Sequence, residues 1–397
     1  MTADRPSGWY PLLVATASIG IANSVVFALL SNLQDRFGFG DAGLSLIAGS
    51  GFLVGLIGQL LLAPFADRGH SKILLLAGLG LAVVGSIAFA LSGSLLTLVA
   101  SRCVVGLSNS LFMPAARAIA VSVSPNKVAQ RLGTMSGVEL AGFVTGPVIG
   151  GFLVGPFGLR VPFLVAGAFA LVAAFMLAPR ALPQPPIDTH QRLAFDLLRL
   201  PRVRAGVLMS MALFLPVGFY DATLDRYLTD LGASDELIGL SFMAYGIPFA
   251  LLATTGGRLS DRSGALRVAL IASIAVAPAT GAYGFIAVPM VIVLLSAVEG
   301  CIQALGVPAS QSMVAQAAPP GRAAAAQGLA GSGNLLIGAV TAYAAGSMYE
   351  HWGSEWMFTA AGSGVVLFAL LSLWQSRVGR RSPGGADQVE MTVTPAP

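Results

Sequence analysis

The sequence predicts an all-α membrane protein, twelve transmembrane helices in two pseudo-symmetric six-helix bundles. Three observations carry that expectation. The chain of 397 residues is 55% hydrophobic and only 10% charged, and its mean hydropathy of +0.80 lies outside the range of soluble globular domains. Apolar stretches of about 20 residues, the length that crosses a roughly 30 Å hydrocarbon core, recur along most of it. The second half also repeats the first: an offset of 194 residues superposes Gly38 on Gly232, Asp41 on Asp235, Asp67-Arg68 on Asp261-Arg262, Gly106 on Gly300 and Pro114-Ala115 on Pro308-Ala309. An offset of 195 then brings Gly158 onto Gly353 and Phe163 onto Phe358. This is a parallel repeat, two six-helix halves related by an axis along the membrane normal.

Taken in order, the expected spans are about 9–34, 42–65, 72–92, 94–116, 132–155, 161–179, 205–229, 236–258, 267–287, 289–313, 323–347 and 356–376. In lipid their backbone groups must be satisfied internally, so each reads as a helix. The first apolar stretch follows one basic residue and is long, with no small-residue cleavage site after it, so it reads as helix 1 rather than a signal peptide. With the N-terminus inside, eighteen of the 22 Lys and Arg fall on the cytoplasmic side, the exceptions being Arg36, Arg102, Arg160 and Arg226. That asymmetry predicts that both termini are cytoplasmic. The expected division is a cytoplasmic N-terminus (1–8), a first bundle (9–179), a cytoplasmic linker rich in proline and arginine (180–204), a second bundle (205–376) and a polar cytoplasmic tail (377–397) expected to be disordered.

Several function classes are excluded or disfavoured. Cys103 and Cys301 lie inside apolar segments and read as small core residues rather than a disulfide. The formal charge of +4 comes from arginines in short loops, not from a patch interleaved with aromatics that would bind nucleic acid. No G-x-x-x-x-G-K-[ST], H-E-x-x-H or G-x-S-x-G occurs, and His70, His190 and His351 fall in separate loops, so neither an enzyme nor a metal site is expected. Without a nucleotide site, the expected energy source is an ion gradient and no cofactor.

The stretch "GTMSGVELAGFVTGPVIGG" (133–151) places six glycines and a proline in one span, where each glycine costs a helix interior about 0.8–1.0 kcal/mol against alanine and proline about 3. At 100° per residue, Gly133, Gly137 and Ala141 form one small-residue row, and Gly142, Gly146 and Gly150 form another on the opposite side. This helix is expected to be approached closely on two faces, with Pro147 bending it where neighbours compensate for the missing donor. The loops "APFADRGHSK" (63–72) and "GGRLSDRSGALR" (256–267) each put an aspartate at a helix end. There it can accept from the N-terminus of a neighbouring helix and pair with arginines, locking two halves together.

On these residues the chain resembles the major facilitator superfamily over nearly its whole length. The loop motif G-x-L-a-D-R-x-G-R-K is matched by Gly257, Leu259, Asp261, Arg262 and Gly264 in the second copy, and by Asp67, Arg68 and Lys72 in the first. The fourth span, "SRCVVGLSNSLFMPAARA", resembles the family's R-x-x-x-G-x-x-x-x-x-x-x-P pattern through Arg102, Gly106 and Pro114. Gly133, Gly142, Gly146, Pro147, Gly150 and Gly151 reproduce the pattern that marks the family's drug/proton antiporters. The matching stretch of helix 11 keeps Gly338 and Gly346 but has no Gly-Pro pair, so the halves differ there.

The resemblance implies the major facilitator fold, with helices 1, 4, 7 and 10 lining a central cavity and helices 3, 6, 9 and 12 facing lipid. It places Arg102, Asp221, Asp225 and Glu299 at the cavity, and Glu139 on helix 5. An arginine as deep as Arg102 costs about 2.5–3.5 kcal/mol to insert and should face an aqueous cavity or a partner. Glu299 lies three residues from the position matching Arg102, a plausible pairing depth. Desolvation raises a carboxyl's proton affinity and a nearby arginine lowers it, so alternating exposure can load and release a proton. Glu299, Asp221, Glu139 and Asp225 are the candidate carriers, with packing as the other reading of Glu139 and an ion pair near the outer surface as that of Asp225. Many relatives carry an acid on helix 1 near this depth; here the residue is Asn23.

The expected function is a proton-coupled secondary transporter exporting small, mainly lipophilic compounds by alternating access. It is expected in the bacterial inner membrane as a monomer, with lipid, protons and a small-molecule substrate as its partners. Candidate cavity contacts are Asn23, Phe27, Asn109, Phe112, Tyr220, Gln303 and Asn334. An uptake symporter for a polar nutrient would need more cavity hydrogen-bonding groups than these. A non-transporting membrane receptor would tolerate loss of Asp261 and the intramembrane acids.

Overall fold

The computed structural model describes residues 8–39, 41–183, 187 and 193–381. Among them the secondary structure is helical throughout: α1 (Trp9–Ser24), α2 (Leu30–Phe37), α3 (Asp41–Phe65), α4 (Ser71–Leu91), α5 (Leu95–Val123), α6 (Val128–Phe157), α7 (Arg160–Leu177), α8 (Pro201–Asp230), α9 (Asp235–Ser263), α10 (Ala265–Ala282), α11 (Pro289–Ala317) and α12 (Ala323–Arg381). Local chemistry sets the ends. Ser94 and Thr97 form a reciprocal capping box at the start of α5, and Pro201 and Pro289 open α8 and α11, where a missing N–H costs nothing.

Two elements differ from the expected spans. The first span is interrupted: α1 ends at Ser24, one tight turn runs Phe27–Leu29, and α2 continues to Phe37. The last two spans form one helical element broken at Gly353, whose φ of 81° and ψ of 174° no side chain-bearing residue adopts readily. Gly158, its counterpart in the repeat, separates α6 from α7 with φ 78° and ψ 172°. The two arms of α12 are therefore spans eleven and twelve. The second continues to Arg381, so residues 377–381 of the expected disordered tail are helical, while 382–397 lie outside the described residues. The same is true of residues 1–7 and most of 184–192.

The first half, α1 to α7, and the second, α8 to α12, each pack around their own apolar core. They meet along two seams, α6 with α9 and α3 with the first arm of α12, and the repeat relates one seam to the other. Gly133 and Gly137 on α6 lie against Ala253 and Ala250 of α9, and Gly328 and Ser332 on α12 lie against Gln59 and Leu56 of α3. These contacts all occupy the half nearest the start of α1 and the end of α12, termed here the terminal face. Further along, the seams end at Val144 with Gly246 and Leu335 with Gly55, and beyond them Gly151, Gly155, Gly239, Gly346 and Gly49 face open space. The halves thus close at the terminal face and part toward the far one.

Candidate transport site and its gates

The closed face is held by two aspartates, each reaching into the other half. Asp67 sits in the turn Ala66–His70 after α3, where Gly69 takes a φ of 85°. Its buried carboxylate accepts from the amides of Ala324 at 2.8 Å and Ala325 at 2.7 Å, the first turn of α12. Asp261, in the last turn of α9, accepts from the amides of Ala129 and Gln130 at 2.9 Å each, the first turn of α6. First-turn amides have no partner inside their own helix, and the residue that would cap α6, Lys127, supplies no side-chain bond. The opposite half provides both caps, and the positive end of each helix dipole favours the carboxylate. Gly257 makes the approach of α9 possible, because a Cβ there would collide with the carbonyl of Ala129. Around them, Arg68 stacks on the Phe65 ring with 4.6 Å to its centroid, Lys72 lies in the first turn of α4, and Arg262 and Gly264 lie exposed at the end of α9.

A polar seam behind these caps escaped the sequence reading. Thr254 donates to Thr134 at 3.1 Å, Ser136 to Gln311 at 3.0 Å and Ser332 to the carbonyl of Leu56 at 3.1 Å. Each bond joins the two halves. Isolated small polar residues in apolar spans carry no pattern of their own.

The two small-residue rows of α6 face two different neighbours. A Cβ at Gly137 would lie 2.7 Å from the carbonyl of Ala250, across the seam, and one at Gly133 would strike that of Ala253. On the opposite side, Gly142 and Gly146 lie against Ala17, Ile21 and Ser24 of α1, and Gly150 against Val25 and Ala28. Pro147 is half-buried in the same helix, and Gly151 touches nothing within 4 Å.

The intramembrane acids separate into different environments. Glu299 on α11 is 0% exposed. Tyr220 of α8 donates to its two oxygens at 2.8 and 2.7 Å, and Thr280 of α10 donates to Oε1 at 3.2 Å. Tyr283 lies at its edge, hydrogen-bonded to Ser296 at 3.0 Å, and Tyr245 of α9 is within electrostatic range of both Glu299 and Asp221. Among the described residues no cation pairs with Glu299. Asp221 and Asp225 lie exposed on one face of α8, and Asp230, also exposed, pairs with Arg226 at 3.0 Å. Glu139 forms an ion pair with Arg117 of α5 at 3.0 Å.

Arg102 does not pair with Glu299. It stays in the first half, 2% exposed, donating to the carbonyl of Asn23 at 2.6 Å and lying over the Phe27 ring at 5.0 Å, while its Nε has no partner among the described residues. The interrupted first span explains this: a helix broken after Ser24 presents a carbonyl that the guanidinium can take. Phe112, expected at the cavity, is wholly buried in the packing of α4 on α5, beneath Gly78. Helix identity alone put it at the cavity, and both faces of α5 are apolar. Asn109 is half-buried, Gln303 is buried with its Nε2 on Leu213 O at 2.9 Å, and Asn334 Oδ1 has no partner among the described residues. The ninth span, α10, was expected to face lipid, yet it supplies Thr280, and the turn after it supplies Tyr283. These hydroxyls carry no charge and so left no mark in the hydropathy.

Two repeated helical halves, reciprocally capped at one face and parted at the other, define the class of multi-pass membrane transporters built from two bundles. A family model described as Major Facilitator Superfamily matches residues 12–223 and 205–396, and the chain belongs to that family. It is similar to the multi-drug resistance efflux pump PmrA of Streptococcus pneumoniae, 27% identical over 285 residues, covering 66% of this chain and 68% of the relative. It is 26% identical over 334 residues to the multidrug resistance protein MdtG of Klebsiella pneumoniae, covering 79% and 81%. The quinolone resistance protein NorA of Staphylococcus aureus is 29% identical over 207 residues, covering 49% and 53%. The human organic anion transporter MFSD10 (TETRAN) has the same fold, with a TM-score of 0.78 at 20% identity over 94% of this chain and 100% of that one.

Proposed function

We propose that this chain is a proton-coupled exporter of small lipophilic compounds, working by alternating access as a monomer in the bacterial inner membrane, its terminal face in the cytoplasm and the proton gradient its only energy source. The similarity to PmrA, MdtG and NorA supports export of drug-like compounds. The observation that carries the coupling is Glu299. A carboxyl withdrawn from water without a counter-charge is costly to keep ionised, by several kcal/mol. The hydroxyls of Tyr220 and Thr280 at its oxygens hold it in place in either protonation state, because a hydroxyl can donate to the carboxylate or accept from the acid. Asp221 stands one residue from Tyr220 and is exposed, a second candidate to take up a proton. Asp67 and Asp261 act as latches of the outward-facing state, and Arg102, Asp225 and Glu139 are secondary candidates in the coupling.

The test is reconstitution in vesicles with an imposed pH gradient, using ethidium and a panel of neutral drugs. Glu299→Gln is expected to retain drug binding and lose proton-driven accumulation. Intact accumulation in that variant removes Glu299 from the mechanism, and transport that persists unchanged after the gradient is collapsed removes proton exchange.

A further inference from the structure

Two side-chain contacts join α8 to α11 on consecutive turns of α11. Tyr220 of α8 donates to Glu299, and one turn further along, Gln303 donates its Nε2 to the carbonyl of Leu213 on α8 at 2.9 Å. Leu213 lies three residues before Pro216, which sits inside α8. Proline brings no N–H to the turn before it, and its ring crowds that turn, so this is the stretch of α8 backbone least able to hold its own geometry. Gln303 is 1% exposed, and its Oε1 has no partner among the described residues. A buried amide with one end unsatisfied is more costly than an apolar side chain of the same size, and its single donation goes to the turn beside the proline. Thr341 of α12 also reaches that turn, donating to the carbonyl of Leu215 at 3.3 Å. At the 194-residue offset the counterparts of Pro216, Tyr220, Glu299 and Gln303 are Ala22, Val26, Val105 and Asn109, so the arrangement belongs to the second half alone.

We propose that Gln303 is a positioning residue for the Glu299 carboxyl: it splints the proline-interrupted turn of α8 against α11 and so fixes where Tyr220 meets Glu299. The groups around that carboxyl are Tyr220 from α8, Thr280 from α10, Tyr283 from the turn after α10, Tyr245 from α9, and Asp221 beside Tyr220. Tyr220 and Asp221 sit on the far side of the proline from the splint, and of these groups Tyr220 alone touches both oxygens. The consequence for transport rests on Glu299 being the proton carrier; the placement of Tyr220 does not.

The experiment follows the carboxyl itself. In the full-length reconstituted protein, the infrared band of the protonated carboxyl that disappears in Glu299→Gln is titrated with pH. Tyr220→Phe removes a hydrogen bond to a charged group and should move the midpoint by about one pH unit. Gln303→Met should move it in the same direction, and the double variant no further than Tyr220→Phe alone, as residues acting through one another do. Gln303→Asn, which keeps the amide but withdraws it by one methylene, should reproduce the displacement and guards against misfolding of the methionine variant. A midpoint unmoved by either Gln303 variant, or additive displacements in the double variant, overturns the splint, as does the absence of any Glu299-dependent titration. If the midpoint moves as expected while Glu299→Gln still accumulates ethidium, the splint stands and the carrier role falls.

Discussion

The hydroxyl of Tyr220 lies 2.8 Å from one carboxylate oxygen of Glu299 and 2.7 Å from the other, whereas Thr280 reaches one oxygen at 3.2 Å. Hydrogen bonds to charged groups contribute about 1.5–3 kcal/mol, and shorter ones more. Tyr220→Phe should therefore impair proton-driven ethidium accumulation about tenfold or more. Thr280→Val should cost several-fold less, measured as initial rates in the same vesicles; equal losses would show that the shorter bond has no special part.

Asp67 and Asp261 each receive two amides from the opposite half. Replacing either carboxylate by an amide keeps its size and removes the charge that faces the helix dipole. Asp67→Asn and Asp261→Asn should each raise the population open at the terminal face by about tenfold, the equivalent of about 1.4 kcal/mol. The readout is the labelling rate of a cysteine placed at Thr254, inside the polar seam, by a membrane-impermeant maleimide applied from the terminal face. Unchanged labelling would mean that the caps do not set the equilibrium.

On α6 the rows predict different failures. Gly146→Leu drives a side chain into Ser24 and Ile21 within the first half and should abolish turnover while leaving membrane insertion intact. Gly137→Leu meets Ala250 across the seam and should instead leave the terminal face open to the same maleimide. Gly151→Ala enters open space and should be close to wild type in transport. A fully active Gly146→Leu protein would refute the close approach of α6 to α1.

The guanidinium of Arg322, at the entry to α12, holds both oxygens of Asp196 in the linker at 2.9 and 3.0 Å. Its side chain is only 8% exposed and that of Asp196 28%. Asp196→Asn leaves a nearly buried charge short of its partner, and a loss of about 1–3 kcal/mol in stability is expected after allowance for the partly exposed carboxylate. Melting followed by fluorescence-detected size-exclusion chromatography should show a lower midpoint; an unchanged midpoint would place the pair outside the folding energetics.

The sequence alone determined the membrane class, the twelve spans, the repeat and the small-residue rows of α6. Each follows from periodicity and composition, which a lipid environment reads directly. It also marked Asp67 and Asp261, because a carboxylate at a helix end is a local feature. Tertiary structure decided who partners whom. Arg102 found a main-chain carbonyl exposed by a break at Ser24 rather than Glu299, Phe112 turned into the core, and uncharged Tyr220 and Thr280 met at the buried Glu299. The reason is physical: burial along a span is a property of the span, whereas a hydrogen bond between spans depends on the depth and rotation of two helices at once.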